Sequence, residues 1–212
     1  MTTDSLLQTN LAGLFFRNPV ILAAGTAGLL DELGGRTGPL RLSHVGGVVT
    51  KSITLNPREG NNTWRIIEHR AGMLNAIGLA NPGLAAFLEH VAPRAANVPA
   101  TVIASVAGFS VDDYVTVAAC VDQWAEPRYT AVRRAGLPAS GSVGNADAGT
   151  AHPPPPSAAV GTPPASPTTG NAIGSIPAIE LNVSCPNVRS GLEFGMAPEL
   201  IRELMVAVRP VI

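Results

Sequence analysis

An α/β fold built on a parallel sheet is what the sequence predicts, and three observations lead to it. Four short apolar runs recur along the chain, closed by Gly25, Lys51, Gly108 and Cys185. Nearly continuous runs of this kind suit parallel strands covered on both faces, whereas a half-exposed strand alternates apolar and polar residues. Stripes of apolar residues at helical spacing fall between the later runs and after the last, and strands alternating with helices argue for βα units. The polar residues of chemical interest sit at the C-terminal ends of the runs, the end at which α/β proteins build their sites.

The elements follow in order. The run PVILAA at 19–24 reads as a buried strand that opens into the glycine-rich turn Gly25, Thr26, Ala27, Gly28. VGGVVT at 45–50 is the second strand and delivers Lys51 and Ser52 at its end. Asn81 with Pro82 predicts a helix start, the amide capping and the proline occupying the first turn, where its missing N–H costs nothing. Leu84, Phe87, Leu88 and Val91 then trace the buried stripe of that helix. ATVIASVA at 100–107 is the third strand. Ser110 and Asp113 resemble a capping pair, and Tyr114, Val117, Ala118 and Val121 form the stripe behind them. AIELNVS at 178–184 is the fourth strand and runs into Cys185 and Pro186. A last helix begins near Pro198 with Leu200, Ile201, Leu204, Met205 and Val208 on one face, and residues 209–212 read as the opening of another strand.

Composition narrows the function classes. The 212 residues carry a formal net charge of −1 and 46% hydrophobic residues, enough for a core and too neutral for the electrostatic footprint of nucleic-acid or anionic-membrane binding. No run approaches the roughly 18 apolar residues of a membrane helix. The first ten residues lack the basic start and apolar stretch of a secretory signal. The four histidines are scattered, so no metal site is predicted, and two cysteines make no disulfide framework. A cytoplasmic, reducing setting is expected. Residues 135–177 break the pattern: no Phe, Tyr or Trp, one charge at Asp147, and seven prolines between Pro153 and Pro167. Such a stretch cannot bury enough apolar surface to offset the entropy of ordering it, and it reads as a disordered, low-complexity insertion.

The residues at the strand ends carry the chemistry. Gly25 begins a turn, Gly25 to Gly28, whose backbone N–H groups can approach a flat or anionic ligand, although a plain tight turn reads the same way. Lys51 can hold a phosphate, a carboxylate or a reduced flavin as a point charge, or be merely solvated. Asn75, before Ala76, Ile77, Gly78 and Leu79, offers donor and acceptor together, the pattern that recognises an amide-like ring edge. The most specific local feature is NVSCPN at 182–187, in which Cys185 lies beyond a strand among short polar side chains. A thiol so placed can serve as nucleophile or proton acceptor. Cys120, inside a helical stripe, reads as core.

Taken together, TKSITLNPREG at 50–60, MLNAIGLANPG at 73–83 and IELNVSCPNV at 179–188 resemble class 1 dihydroorotate dehydrogenases, and subclass 1B most closely. The resemblance implies a (β/α)8 TIM barrel, of which this chain holds about the first four βα units. Residues 1–134 would be the first part of an FMN-binding barrel, 135–177 the insertion, and 178–212 the continuation with the cysteine loop. It implies oxidation of (S)-dihydroorotate to orotate in pyrimidine synthesis, with FMN as cofactor and Cys185 as the base that takes the proton from ring C5. Ala24, Gly25, Lys51, Ser52, Ser105 and Asn182 would contact FMN; Lys51, Asn75, Ala76, Ile77, Gly78, Leu79, Asn182 and Asn187 would hold the substrate.

Two small departures stand out, Ala24 where the subclass commonly has serine and Ser105 where it has asparagine. The large one is length, because a second flavin lysine and the phosphate loops would lie on units absent here, so the chain alone is expected to bind FMN poorly. The resemblance also implies an iron–sulfur, FAD-containing electron-transfer subunit as partner, and leaves a homo-oligomer open. Two alternatives remain: a flavin barrel of the dihydropyrimidine dehydrogenase kind, which shares the cysteine motif, and an inactive half-barrel.

Overall fold

The computed structural model of the chain describes residues 6–30, 41–133, 176–184 and 193–212. Its centre is a parallel sheet of β3 (Ile21–Leu22), β4 (Gly47–Val49), β7 (Thr101–Val106) and β8 (Ala178–Leu181), adjacent in that order. These are the four predicted strands, each shorter than its apolar run and each lying beside the next in the sheet. The ladder Gly47–Thr101, Val48–Val102, Val49–Ile103 joins β4 to β7, and Ile103–Ala178 through Val106–Leu181 joins β7 to β8. Period two then sorts the side chains. Val48, Val102, Ala104 and Val106 point to the helix-covered face and are almost fully buried, whereas Ile21, Ser105 and Glu180 point to the other.

The helices cover one face through the expected stripes. Asn81 accepts a hydrogen bond at Oδ1 from the Gly83 N–H at 2.9 Å and so caps α1 (Gly83–Ala86), which continues as a π-helical turn over Phe87–Val91 and a 3-10 stretch over Ala92–Asn97. Leu84, Phe87 and Val91 are buried. α2 (Val111–Arg133) begins with the Asp113 N–H donating to Ser110 Oγ at 3.1 Å, while the Asp113 carboxylate accepts from the Phe109 N–H at 2.9 Å. Tyr114, Val117, Ala118 and Val121 are its buried stripe. α3 (Glu193–Met196) and α4 (Pro198–Val208) follow β8, with Leu204 and Val208 buried against the core.

Two hairpins stand outside the predicted pattern. β1 (Thr9–Leu11) and β2 (Leu14–Phe16) pair antiparallel, and Phe16 is buried against Gly47 at the N-terminal end of β4. β5 (Ile66–His69) and β6 (Gly72–Asn75) form a second hairpin after the strand-two loop. The expected strand at 209–212 is absent: Arg209–Val211 is a 3-10 turn that prolongs α4. Most of the 135–177 insertion lies outside the described residues. Its last apolar residue, Ile176, is buried in the core beside β8, so ordered packing reaches back two residues further than the composition indicated.

Candidate active site

Three adjacent strands deliver polar residues to one place. Beyond β4 the chain stays in register with β7: the Thr50 N–H donates to the Ile103 carbonyl, the Ile53 N–H to the Ser105 carbonyl, and the Ala107 N–H to the Ile53 carbonyl, all at 2.8–2.9 Å. Past β8, the Asn182 N–H donates to the Val106 carbonyl at 2.8 Å. Ser52, Ser105 and Asn182 therefore converge although they lie on three segments far apart in sequence. Ser52 Oγ and Ser105 Oγ are 2.9 Å apart, Asn182 Nδ2 donates to Ser52 Oγ at 2.9 Å, and Ser105 Oγ donates to Glu180 Oε1 at 3.1 Å. The Ser105 N–H is held by Thr50 Oγ1 at 3.1 Å. Ser105 and Thr50 are fully buried and Ser52 nearly so.

Asn182 is fixed on every side. The Tyr114 hydroxyl donates to its carbonyl at 2.6 Å, and its Oδ1 accepts from the Ser184 N–H at 3.3 Å. Tyr114 in turn meets Phe194 edge to face, with ring centroids 5.3 Å apart. Such a pair adds roughly 0.5–1.5 kcal/mol beyond its burial, and here it clamps α2 and α3 onto the end of β8.

The other predicted residues flank this cluster. The Lys51 N–H donates to the Gly28 carbonyl at 2.8 Å, tying the turn after β3 to the end of β4, and the Lys51 side chain is half-buried. Ala24 and Gly25 are exposed; Gly25 has φ +80°, and nothing lies within 4 Å of where a side chain would stand. Asn75 ends β6, and the segment after it packs on Asn61 and Arg65. The Ala76 N–H donates to the Arg65 carbonyl at 2.8 Å, and Asn61 holds the carbonyls of Ala76 and Ile77, each at 3.0 Å. Gly78, at φ +77°, is pressed so closely on Asn61 that a Cβ would come within 2.7 Å of its backbone nitrogen. Leu79 gives its carbonyl to Asn81 Nδ2 at 2.7 Å, and Asn81 also bonds Thr54, two residues past Ser52. The 75–79 segment is thus a neighbouring wall, joined to the cluster through Thr54 and Asn81. Cys185 and Asn187 lie outside the described residues.

Two members of the site had escaped the sequence reading. Glu180 reads from sequence as part of the strand, and its one signal is a carboxylate inside the otherwise apolar run AIEL. Arg58 belongs to a quoted motif without a role; its guanidinium carbon lies 4.7 Å from the centre of the Phe109 ring, a cation–π contact beside the same strand ends. Among the described residues no group of His, Cys, Asp or Glu could hold a metal ion.

A parallel sheet with helices on one face and a polar cluster at its C-terminal end defines part of a (β/α) barrel with a site at the barrel mouth. The chain belongs to the dihydroorotate dehydrogenase family, whose model matches residues 6–132. It is 30% identical over 204 residues to the dihydroorotate dehydrogenase B (NAD(+)) catalytic subunit of Bacteroides fragilis, covering 96% of this chain and 50% of that protein. It is 35% identical over 207 residues to the subunit of the same name from Bacillus pumilus, covering 97% and 50%. Among solved structures, the ligand-free dihydroorotate dehydrogenase from Eimeria tenella superposes with TM-score 0.60 at 18% identity, covering 100% of this chain and 47% of that one, a likeness of fold. The chain spans about half the length of the curated relatives it matches.

Proposed function

We propose that this chain carries the N-terminal half of an FMN-dependent dihydroorotate dehydrogenase active site, which oxidises (S)-dihydroorotate to orotate in pyrimidine synthesis. The observation that supports this best is the convergence of Ser52, Ser105 and Asn182 on the ends of three adjacent parallel strands, in a chain of this family. The residues suit a flat heterocycle with carbonyl and N–H edges. Gly25 leaves backbone uncovered beside an open space, Lys51 brings a cation, and Asn182 brings an amide already held in one orientation.

FMN, held beside Gly25, Lys51, Ser52 and Asn182, would supply the acceptor for the hydride that leaves C6 of dihydroorotate. Cys185 takes the C5 proton on its Sγ. Lys51 offsets negative charge that develops as the rings react, and a fixed cation does so without reorganisation at the moment of reaction. Asn75, Ala76, Ile77, Gly78 and Leu79 line one side of the substrate, and Asn182 and Asn187 hold its other edge. Fixing both rings removes orientational entropy from the barrier. Ser105, fully buried with its hydroxyl engaged by Ser52 and Glu180, supports the site from behind. The relatives' name as the catalytic subunit of an NAD(+) enzyme supports a partner subunit that carries electrons onward; an iron–sulfur and FAD make-up of that partner, and a cytoplasmic setting, follow from the family resemblance alone.

Anaerobic mixing of the chain with FMN and dihydroorotate tests this. Bleaching of the flavin absorbance is expected, with Cys185→Ala retaining bound FMN and losing the bleaching. Bleaching by Cys185→Ala at the wild-type rate would overturn the assignment of the base. A second reading, a half-barrel inactive alone, is favoured by the exposed apolar residues Ile66, Ile67, Met73 and Leu74 on the second hairpin, and flavin that binds without bleaching in the wild type would select it.

A further inference from the structure

We infer that Glu180 is a positioning residue that helps set the polarity of the site: through Ser105 and Ser52 it acts with the Ser184 N–H to make Asn182 present an N–H to a ligand. The inference follows from counting protons along Asn182, Ser52, Ser105 and Glu180. An ionised carboxylate only accepts, so Ser105 donates its single hydroxyl proton to Glu180 Oε1 across 3.1 Å. Ser105 then has only lone pairs for Ser52, and Ser52 must donate across the 2.9 Å between the two hydroxyls. Ser52, its own proton committed, can only accept at its next contact, so the group facing it at 2.9 Å is Asn182 Nδ2.

The other amide atom agrees, since Oδ1 accepts from the Ser184 N–H, at the longer distance of 3.3 Å. An amide nitrogen carries two protons. One goes to Ser52 and the second is the donor offered to a ligand acceptor such as a ring carbonyl. The middle of the relay is fully buried, where a wrongly directed hydrogen bond has no water to turn to, while Glu180 itself is exposed on the face opposite the helices and contributes little packing.

The relay stands on the chain's own geometry; only the identity of the ligand acceptor rests on the flavin-site reading. The test records the side-chain NH2 signals of Asn182 by 15N–1H correlation in the ligand-free chain, assigned by their loss in Asn182→Asp. In the wild type the two protons are expected to be well separated and slowed in exchange. Glu180→Ala and, independently, Ser105→Ala should both collapse the separation and speed exchange by about fivefold, the loss of one hydrogen bond. Glu180→Gln, which keeps an acceptor oxygen, should restore the wild-type signals. Glu180→Ala should keep a cooperative thermal unfolding transition, lowered by no more than the loss of the single acceptor for Ser105 accounts for.

Unchanged Asn182 signals in both alanine variants would overturn the relay, as would a Glu180→Gln variant no better than Glu180→Ala. FMN titration of the same proteins separates the two claims. A wild type with the predicted NMR behaviour and no flavin affinity supports the relay and overturns the proposed function alone.

Discussion

At the scale of single residues, the meaning of a side chain here is set by what it donates to and accepts from. Cys120 shows how burial alone settles a role: it packs against the core on α2, and desolvation of the thiolate pushes its pKa above the ordinary thiol range. A raised thiol pKa means less thiolate at any pH below it, and the thiolate is the reactive form. Cys120 should therefore resist iodoacetamide in the folded chain at neutral pH and react once the chain is denatured, as peptide mass spectrometry would read. Rapid native labelling of Cys120 would contradict its partial burial against the core. Ser52 and Asn182 were legible in the sequence because each follows an apolar run, where α/β folds display their functional groups. Glu180 was not, because its role depends on a register with Ser105, 75 positions away, that no local pattern encodes.

At the scale of elements, the 75–83 segment depends on one amide. Thr54 gives its hydroxyl proton to the Asn56 carbonyl at 2.7 Å, so Thr54 Oγ1 accepts from Asn81 Nδ2 at 2.9 Å, while Asn81 Oδ1 receives the N–H groups of Thr54 and Gly83. Replacing Asn81 by alanine leaves buried donors without partners and removes the cap of α1. Asn81→Ala should lower stability by roughly 2–3 kcal/mol in urea unfolding; a midpoint unchanged from wild type would contradict this bracing role.

The cap was readable from Asn81 and Pro82, and the buried stripes of α1 and α2 from their spacing; on α4 only Leu204 and Val208 of the predicted face are buried, and Met205 is exposed. The hairpins were not. β1 and β2 turn through Ala12 and Gly13, both at positive φ, a conformation suited to the right-handed twist of a hairpin but here lacking the Asn-Gly or Asp-Gly pair that usually announces it. All eight residues of β5 and β6 are exposed, so no alternation of apolar and polar positions marks them as strands. Residues 209–211 likewise continue α4 as a last helical turn where a strand was expected, which the apolar composition of 209–212 conceals.

At the scale of the molecule, the order β3-β4-β7-β8 lays sequential strands side by side, each joined to the next by a parallel ladder. This order follows from the alternation of strands and helices, because parallel neighbours need a crossover between them. Tertiary placement then gathers at one end of the sheet what the sequence scatters over more than a hundred residues: the turn after β3, Lys51 and Ser52 after β4, Ser105 in β7 and Asn182 after β8. The opposite end is held by the first hairpin, with Thr101 Oγ1 donating to the Phe15 carbonyl at 3.2 Å and the Arg17 guanidinium bonding the carbonyls of Ser43 and Pro99. The polar cluster and the bracing by the first hairpin thus lie at opposite ends of the sheet.

The central claim is that the C-terminal end of this sheet binds a flavin and the substrate ring together. The measurement that tests it most directly is a fluorescence titration of FMN into the chain, with and without orotate, on the wild type and on Asn182→Ala. Weak, saturable FMN binding that orotate tightens is expected of the wild type, and Asn182→Ala should weaken it. A folded wild type that binds no FMN, or binds it equally well without orotate and without the Asn182 amide, would contradict it.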